Sequence, residues 1–95
     1  MPFEHGPYIF NESRIGGAAP KKPGVYGIHG KKMIYVGQSE NIHDRLKQHY
    51  GDMKHCIWKR SPGWFFYDLV SGGEYARRKR EKQRIDEYDP PCNKA

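Results

Sequence analysis

Ninety-five residues are enough for one compact domain and too few for two, and seven tyrosines, four phenylalanines and two tryptophans can fill its thin core. Seventeen basic against eleven acidic residues give a formal charge of +6, which favours DNA, RNA or an anionic membrane surface as partner without choosing among them. No run approaches the ~18 apolar residues of a spanning helix, the N-terminus lacks the basic and apolar regions of a secretory signal, and Cys56 and Cys92 lack the spacing of a metal site.

Residues 1–20 are expected to form an N-terminal arm and residues 21–95 the domain proper. Pro2, Gly6, Pro7, Gly16, Gly17 and Pro20 punctuate the arm and argue against a long regular element. Within it, Tyr8-Ile9-Phe10 reads either as a short edge strand or as a segment packed across the domain. Lys21 to Gly24 form an opening turn, and Val25 to His29 alternate as a strand does. Gly30-Lys31-Lys32 has hairpin composition, so Met33 to Val36 should return antiparallel.

Ser39 or Asn41 can cap the helix that follows. On it Ile42, Leu46 and Tyr50 fall at four-residue steps, Ile42, Arg45 and His49 mark an adjacent face, and Gly51 is placed to end it. His55 to Pro62 reads as a short helix or a packed loop. Trp64 to Val70 is a third strand, too apolar at Trp64-Phe65-Phe66-Tyr67 to lie exposed on both sides. After Gly72-Gly73 a helix starts near Glu74, with Arg78, Glu81, Ile85 and Tyr88 on one face, and Pro90-Pro91 cannot continue it. The order predicts an α+β domain. The two cysteines are expected to be free, partly buried thiols, which points to an intracellular, cytoplasmic protein.

Several residues suit chemistry on a phosphate. Arg45 can offer two parallel donors to phosphate oxygens, or be an ordinary surface arginine of an amphipathic helix. His49, one turn on, can reach the same ligand or face solvent. Tyr26 and Tyr35, on neighbouring strands, can position water or a phosphate oxygen, or simply pack the core; neither is a good base at the ordinary tyrosine pKa of ~10. Glu81 is the candidate ligand for a divalent metal, because one carboxylate suffices for magnesium when phosphate completes the shell. Its alternative is a surface glutamate paired with Arg77 or Arg84. Gly37 is placed to let a phosphate approach the backbone. Arg77, Arg78, Arg80 and Lys59 are the candidate nucleic-acid contacts, although Arg77 to Arg80 wrap most of a helical turn and cannot all face one groove. His5, His29, His43 and His55 make no zinc signature with the cysteines.

These motifs resemble the GIY-YIG nuclease superfamily. Gly24-Val25-Tyr26 and Tyr35-Val36-Gly37 stand where its two tripeptides belong, with valine for isoleucine in both. Gln38 to Leu46 is similar to its helix start, with Arg45 on the catalytic arginine and His49 on a histidine found in many members. Glu81, Arg84-Ile85, Pro90, Pro91 and Asn93 look like the metal glutamate, the apolar helix face and the closing asparagine, and His55 is a candidate for a second histidine seen in some homing enzymes. The resemblance covers about residues 23–93. It implies a three-stranded antiparallel sheet flanked by helices, and an endonuclease that cleaves DNA with Mg2+, or Mn2+ in its place. It further implies that Tyr26 acts as or assists the general base, Arg45 stabilises the phosphate, Tyr35 orients it, Glu81 holds the metal and Asn93 supports the site.

DNA is then the expected partner, a membrane is not, and a homodimer or a separate DNA-reading partner is open. The expected location is the cytoplasm, with the nucleoid or phage DNA in a prokaryotic setting. Two other readings stand beside the nuclease: a non-catalytic nucleic-acid-binding module on the same scaffold, and a small protein-interaction subunit with incidental positive charge.

Overall fold

The computed structural model describes residues 3–52 and 56–93. In chain order it contains β1 (His5–Ile9), α1 (Glu12–Ala18), β2 (Gly24–His29), β3 (Met33–Ser39), α2 (Ile42–Gly51), β4 (Trp64–Leu69) and α3 (Gly73–Tyr88). Single 3₁₀ turns lie at Trp58–Arg60 and Pro91–Asn93. The sheet is antiparallel and has four strands in the order β1-β4-β2-β3, not the three expected.

The additional strand is β1, on the outer edge of β4, with His5 opposite Tyr67, Tyr8 opposite Phe65 and Ile9 opposite Trp64. Its register shifts between His5 and Tyr8, where Gly6 and Pro7 interrupt the ladder. That interruption breaks the alternation by which a strand is read from sequence. A short helix, α1, follows, capped by Asn11, whose side chain accepts from the Arg14 N–H at 2.7 Å. It buries Ile15. Residues 3–20 therefore share the sheet and core of the rest.

The period-two alternation of β2 and β3 separates two cores. Tyr26, Ile28 and Phe65 face Ile42 and Leu46 of α2, together with Ile15 and Ile57. Val25, Val36, Met33 and Phe3 lie on the opposite face, against Ala76, Ile85 and Tyr88 of α3. Asn41, one of the two expected caps, opens α2 by accepting from the Asp44 N–H at 3.0 Å, while Ser39 Oγ bonds the Asn41 backbone. Gly51 is the last residue of α2 rather than the stop beyond it, and Asp52 caps the end.

On α3 the buried residues are Arg77 and Arg84, beside the half-buried face of Ile85 and Tyr88. Arg84 stacks over the Phe3 ring at 5.2 Å and donates from Nε to Asp68 Oδ2 at 2.8 Å. Asp68 is fully buried on β4, and it also receives the Glu4 N–H at 2.8 Å and Arg80 Nη1 at 3.3 Å. One carboxylate thus ties strand β4, helix α3 and the N-terminal residues together. Among the described residues, no helix is long and apolar enough to cross a membrane.

Cys56 and Cys92 are joined by a disulfide, with Cα atoms 5.8 Å apart, which corrects the expectation of free thiols. The 36-residue separation gave no hint of pairing, and the fold closes it by carrying the C-terminal turn back to the segment before Trp58. The support that free thiols lent to a cytoplasmic location goes with them.

Removing the Asp68 carboxylate takes away the buried half of Arg84's pairing and leaves it Glu87 at the surface. Asp68→Ala should therefore cost roughly 3–5 kcal/mol. In urea unfolding the midpoint should fall with little change in slope, and an apolar double replacement of Asp68 and Arg84 should cost less than the single change.

Candidate active site

The antiparallel register of β2 and β3 sets Tyr26 directly opposite Gly37. A Cβ at Gly37 would stand 2.5 Å from Tyr26 Oη and 2.9 Å from Tyr35 Cε2. The glycine therefore clears a path for the Tyr26 phenol to lie across the neighbouring strand. Crossing it, Tyr26 Oη comes 2.8 Å from His49 Nε2, and both side chains are buried. The Tyr35 ring completes the group, its centroid 6.2 Å from that of Tyr26 and 5.2 Å from that of His49.

Four-residue spacing on α2 places Arg45 one turn before His49, at the solvent side of the same cluster. Its Nη1 donates to Gln48 Oε1 at 2.8 Å, so one edge of the guanidinium is steadied while the group stays exposed. Burial pulls the Arg45 pKa down, but the phenols of Tyr26 and Tyr35 more than offset this and leave it raised.

Glu81, half-buried in the middle of α3, approaches from the other face of the sheet. Its pKa is raised by burial, against the lowering influence of Arg78. The Tyr26 phenol is pushed well above the ordinary tyrosine range, first by burial and then by Tyr35, with Arg45 opposing and Glu81 adding to the shift. Tyr26 thus lies within electrostatic reach of Tyr35, Arg45 and Glu81 while touching His49.

Neither arginine suggested as a partner for Glu81 is engaged with it. Arg77 donates from Nε to Gln38 Oε1 at 2.8 Å and lies 3.8 Å from Glu40, and Arg84 pairs with Asp68 and Glu87. Two of the four cations assigned to nucleic acid are likewise held inside the fold: Arg77 is buried, and Arg80 is drawn to Asp68. Arg78 is exposed but paired with Glu74 at 2.7 Å, and Lys59 is exposed. Helix periodicity shows that such a run diverges around the helix; it does not show that Gln38 and Asp68 wait beneath it. The one signal available was Asp68 itself, an acid inside an apolar strand that needs a cation.

Asn93 accepts from the Val36 N–H and donates to the Val36 C=O, both at 2.8 Å. It holds the middle of the second tripeptide, next to Tyr35 and Gly37. His55 lies outside the described residues.

The GIY-YIG catalytic domain model matches residues 22–94, most of the chain. The chain belongs to the GIY-YIG family. A sequence relative of this GIY-YIG domain is UvrABC system protein C of Aquifex aeolicus, 33% identical over 81 residues, which are 79% of the chain and 14% of that protein. Among solved structures it is similar to the GIY-YIG N-terminal endonuclease domain of UvrC from Thermotoga maritima. A tyrosine-to-phenylalanine form bound to its catalytic divalent cation superposes with a TM-score of 0.70 at 23% identity, covering 86% of this chain and 96% of that one. The magnesium-bound form gives 0.69 at 22% identity, covering 86% and 97%. At those identities the likeness to the Thermotoga domain is one of fold.

Gly37→Ala should drive Tyr26 and Tyr35 out of place, with a loss of roughly 1–3 kcal/mol from overpacking and a collapse of activity larger than the stability loss explains. Thermal melts and cleavage rates measured on the same preparation check both. The raised Tyr26 pKa also sets a sign: its stabilisation is complete below about pH 10 and is lost as pH climbs toward the folded value. Tyr26→Phe should therefore make the alkaline decline of stability shallower, as read by denaturant titrations above that pH.

Proposed function

We propose that this GIY-YIG domain hydrolyses DNA phosphodiester bonds, with a divalent cation, magnesium or manganese, held at Glu81. The observation that carries the reading is the buried Tyr26 phenol, 2.8 Å from His49, with the Tyr35 ring beside both and Arg45 one helical turn before His49.

The donor set fits a hard cation. Glu81 is a partly desolvated carboxylate with no ion pair among the described residues, and no cluster of three or more His, Cys, Asp or Glu side chains is found there. Such a site suits an ion that keeps most of its water and takes further oxygens from the substrate phosphate. Bound there, the cation supplies charge stabilisation at the phosphate undergoing attack.

The chain's own residues supply the rest. Arg45 presents its fork to two phosphate oxygens as negative charge builds on them. Burial keeps the Tyr26 phenol protonated, so it cannot act as a standing phenolate base. It acts as a relay instead: Tyr26 Oη takes the proton of the attacking water as its own proton passes to His49 Nε2, an imidazole being the side chain that accepts a proton near neutrality. Tyr35 orients the phosphate or the water, and Gly37 and Asn93 hold the strand that presents it.

Contacts to phosphate position DNA without reading its sequence. Base recognition therefore falls to a second copy of the chain or to a separate DNA-reading partner. A DNA substrate places the activity inside the cell with the nucleoid or phage DNA, where the Cys56–Cys92 bridge would be exposed to reduction.

The test is cleavage of plasmid, single-stranded and branched DNA with and without Mg2+ or Mn2+. Glu81→Ala should abolish metal-dependent cutting, and Arg45→Ala should slow it by about 10²–10³-fold. Both should keep DNA affinity within a few-fold, since 17 basic residues share the attraction. Cutting by Glu81→Ala at the wild-type rate would overturn the metal assignment. A wild-type chain that binds DNA tightly and never cuts it would be the non-catalytic module.

A further inference from the structure

A groove of about 380 Å³ lies beside the active site, at the end of the β2–β3 hairpin. Lys31, Lys32, Lys59 and Arg60 line it together with Ile34 and Pro91. All four cations are exposed, and among the described residues none of them has an acidic partner. On α3, by comparison, Arg78 and Lys82 each hold a carboxylate one turn away. Four like charges gathered around one concavity repel one another, a cost that a polyanion in the groove relieves.

The fold builds this concavity in three ways. Gly30, at the hairpin turn, meets the backbone of the facing segment: a Cβ there would stand 2.8 Å from Ser61 O and 3.1 Å from Arg60 O. Ser61 turns the chain out of its 3₁₀ turn in the left-handed region, at φ 54°. The Cys56–Cys92 disulfide links the segment leading to Lys59 with the turn that carries Pro91. The segments that carry the two pairs of cations are thus brought together by backbone contact at Gly30, whether or not the disulfide is formed.

Position gives the groove its meaning. Lys32 precedes β3, and Tyr35 lies three residues further along, so at ~3.3 Å per residue the groove sits roughly 10 Å from the catalytic tyrosine. We propose that Lys31, Lys32, Lys59 and Arg60 form a backbone-docking groove that holds duplex DNA phosphates flanking the bond that is cut. This rests on the nuclease reading for its location, but the docking itself does not require catalysis.

The experiment compares the 95-residue protein with Lys31→Gln/Lys32→Gln/Lys59→Gln/Arg60→Gln and with a Lys31→Arg/Lys32→Arg/Lys59→Arg control. Binding of a duplex is measured in EDTA across a series of salt concentrations, and cleavage is followed separately with Mg2+. If two to four phosphates are held, the slope of log affinity against log salt should drop by roughly 2–4 in the glutamine set, because each neutralised phosphate contributes about 0.9. The arginine control should keep the slope, and KM for cleavage should rise at least tenfold in the glutamine set. An unchanged slope in a folded glutamine variant would overturn the proposal. So would an unchanged DNA slope accompanied by lost retention on phosphatidylcholine vesicles containing phosphatidylserine, which would assign the groove to a lipid surface. A reduced slope in a protein that never cuts would uphold the groove while the nuclease reading fails.

Discussion

The Tyr26 phenol reaches His49 because Gly37, directly across the strand pair, has no side chain in its way. That single clearance links β2, β3 and α2 at the point where the chemistry is carried out. With a methyl group at 37, the phenol and the neighbouring Tyr35 ring would have to give way, and the contact that fixes His49 on α2 would go with them. The two tripeptides of the motif are thus two halves of one packing event: the tyrosine of the first needs the glycine of the second. The first glycine obeys a similar demand, since a Cβ on Gly24 would run into the Asp68 carbonyl of β4 and into Ile42 of α2.

Placing Glu81 is a separate problem, because α3 packs on the opposite face of the sheet from α2. The solution depends on β3 being an edge strand. A carboxylate on α3 can approach the tyrosines past that edge, whereas a central strand would have another strand in the way. The buried Arg77–Gln38 and Arg84–Asp68 contacts then set the position of α3 against β3 and β4. These arginines hold the helix that carries Glu81.

How much of this was legible in the sequence followed from how local each determinant is. The hairpin, the α2 face and the α3 boundaries rest on alternation, four-residue spacing, caps and glycine pairs, all within a few residues. The contact of Tyr26 with His49 was approached through motif order, which named both residues without pairing them. β1 was legible only in part, as an edge strand offered at Tyr8-Ile9-Phe10, because Gly6 and Pro7 disrupt its alternation and its partner β4 lies about sixty residues away. The roles of Arg77, Arg80 and Arg84 were hidden for a similar reason. A basic run on a helix looks solvated until a buried aspartate from another element is placed beneath it. The pairing of two cysteines 36 residues apart is equally non-local.

A sheet that ends in an open strand is an invitation to another chain, through its row of free backbone donors and acceptors. Here both borders are blunted, by different means. On β3, Asn93 uses its amide as a short substitute strand, taking up the N–H and C=O of Val36. On β1, Pro7 has no N–H to give, and the bulge beside it turns the ladder out of register. Strand-by-strand growth into fibrils or swapped oligomers is therefore discouraged at each border. A second copy of this chain that joined it on DNA would have to meet it through side chains, leaving the backbone of the sheet and the tyrosines it carries undisturbed.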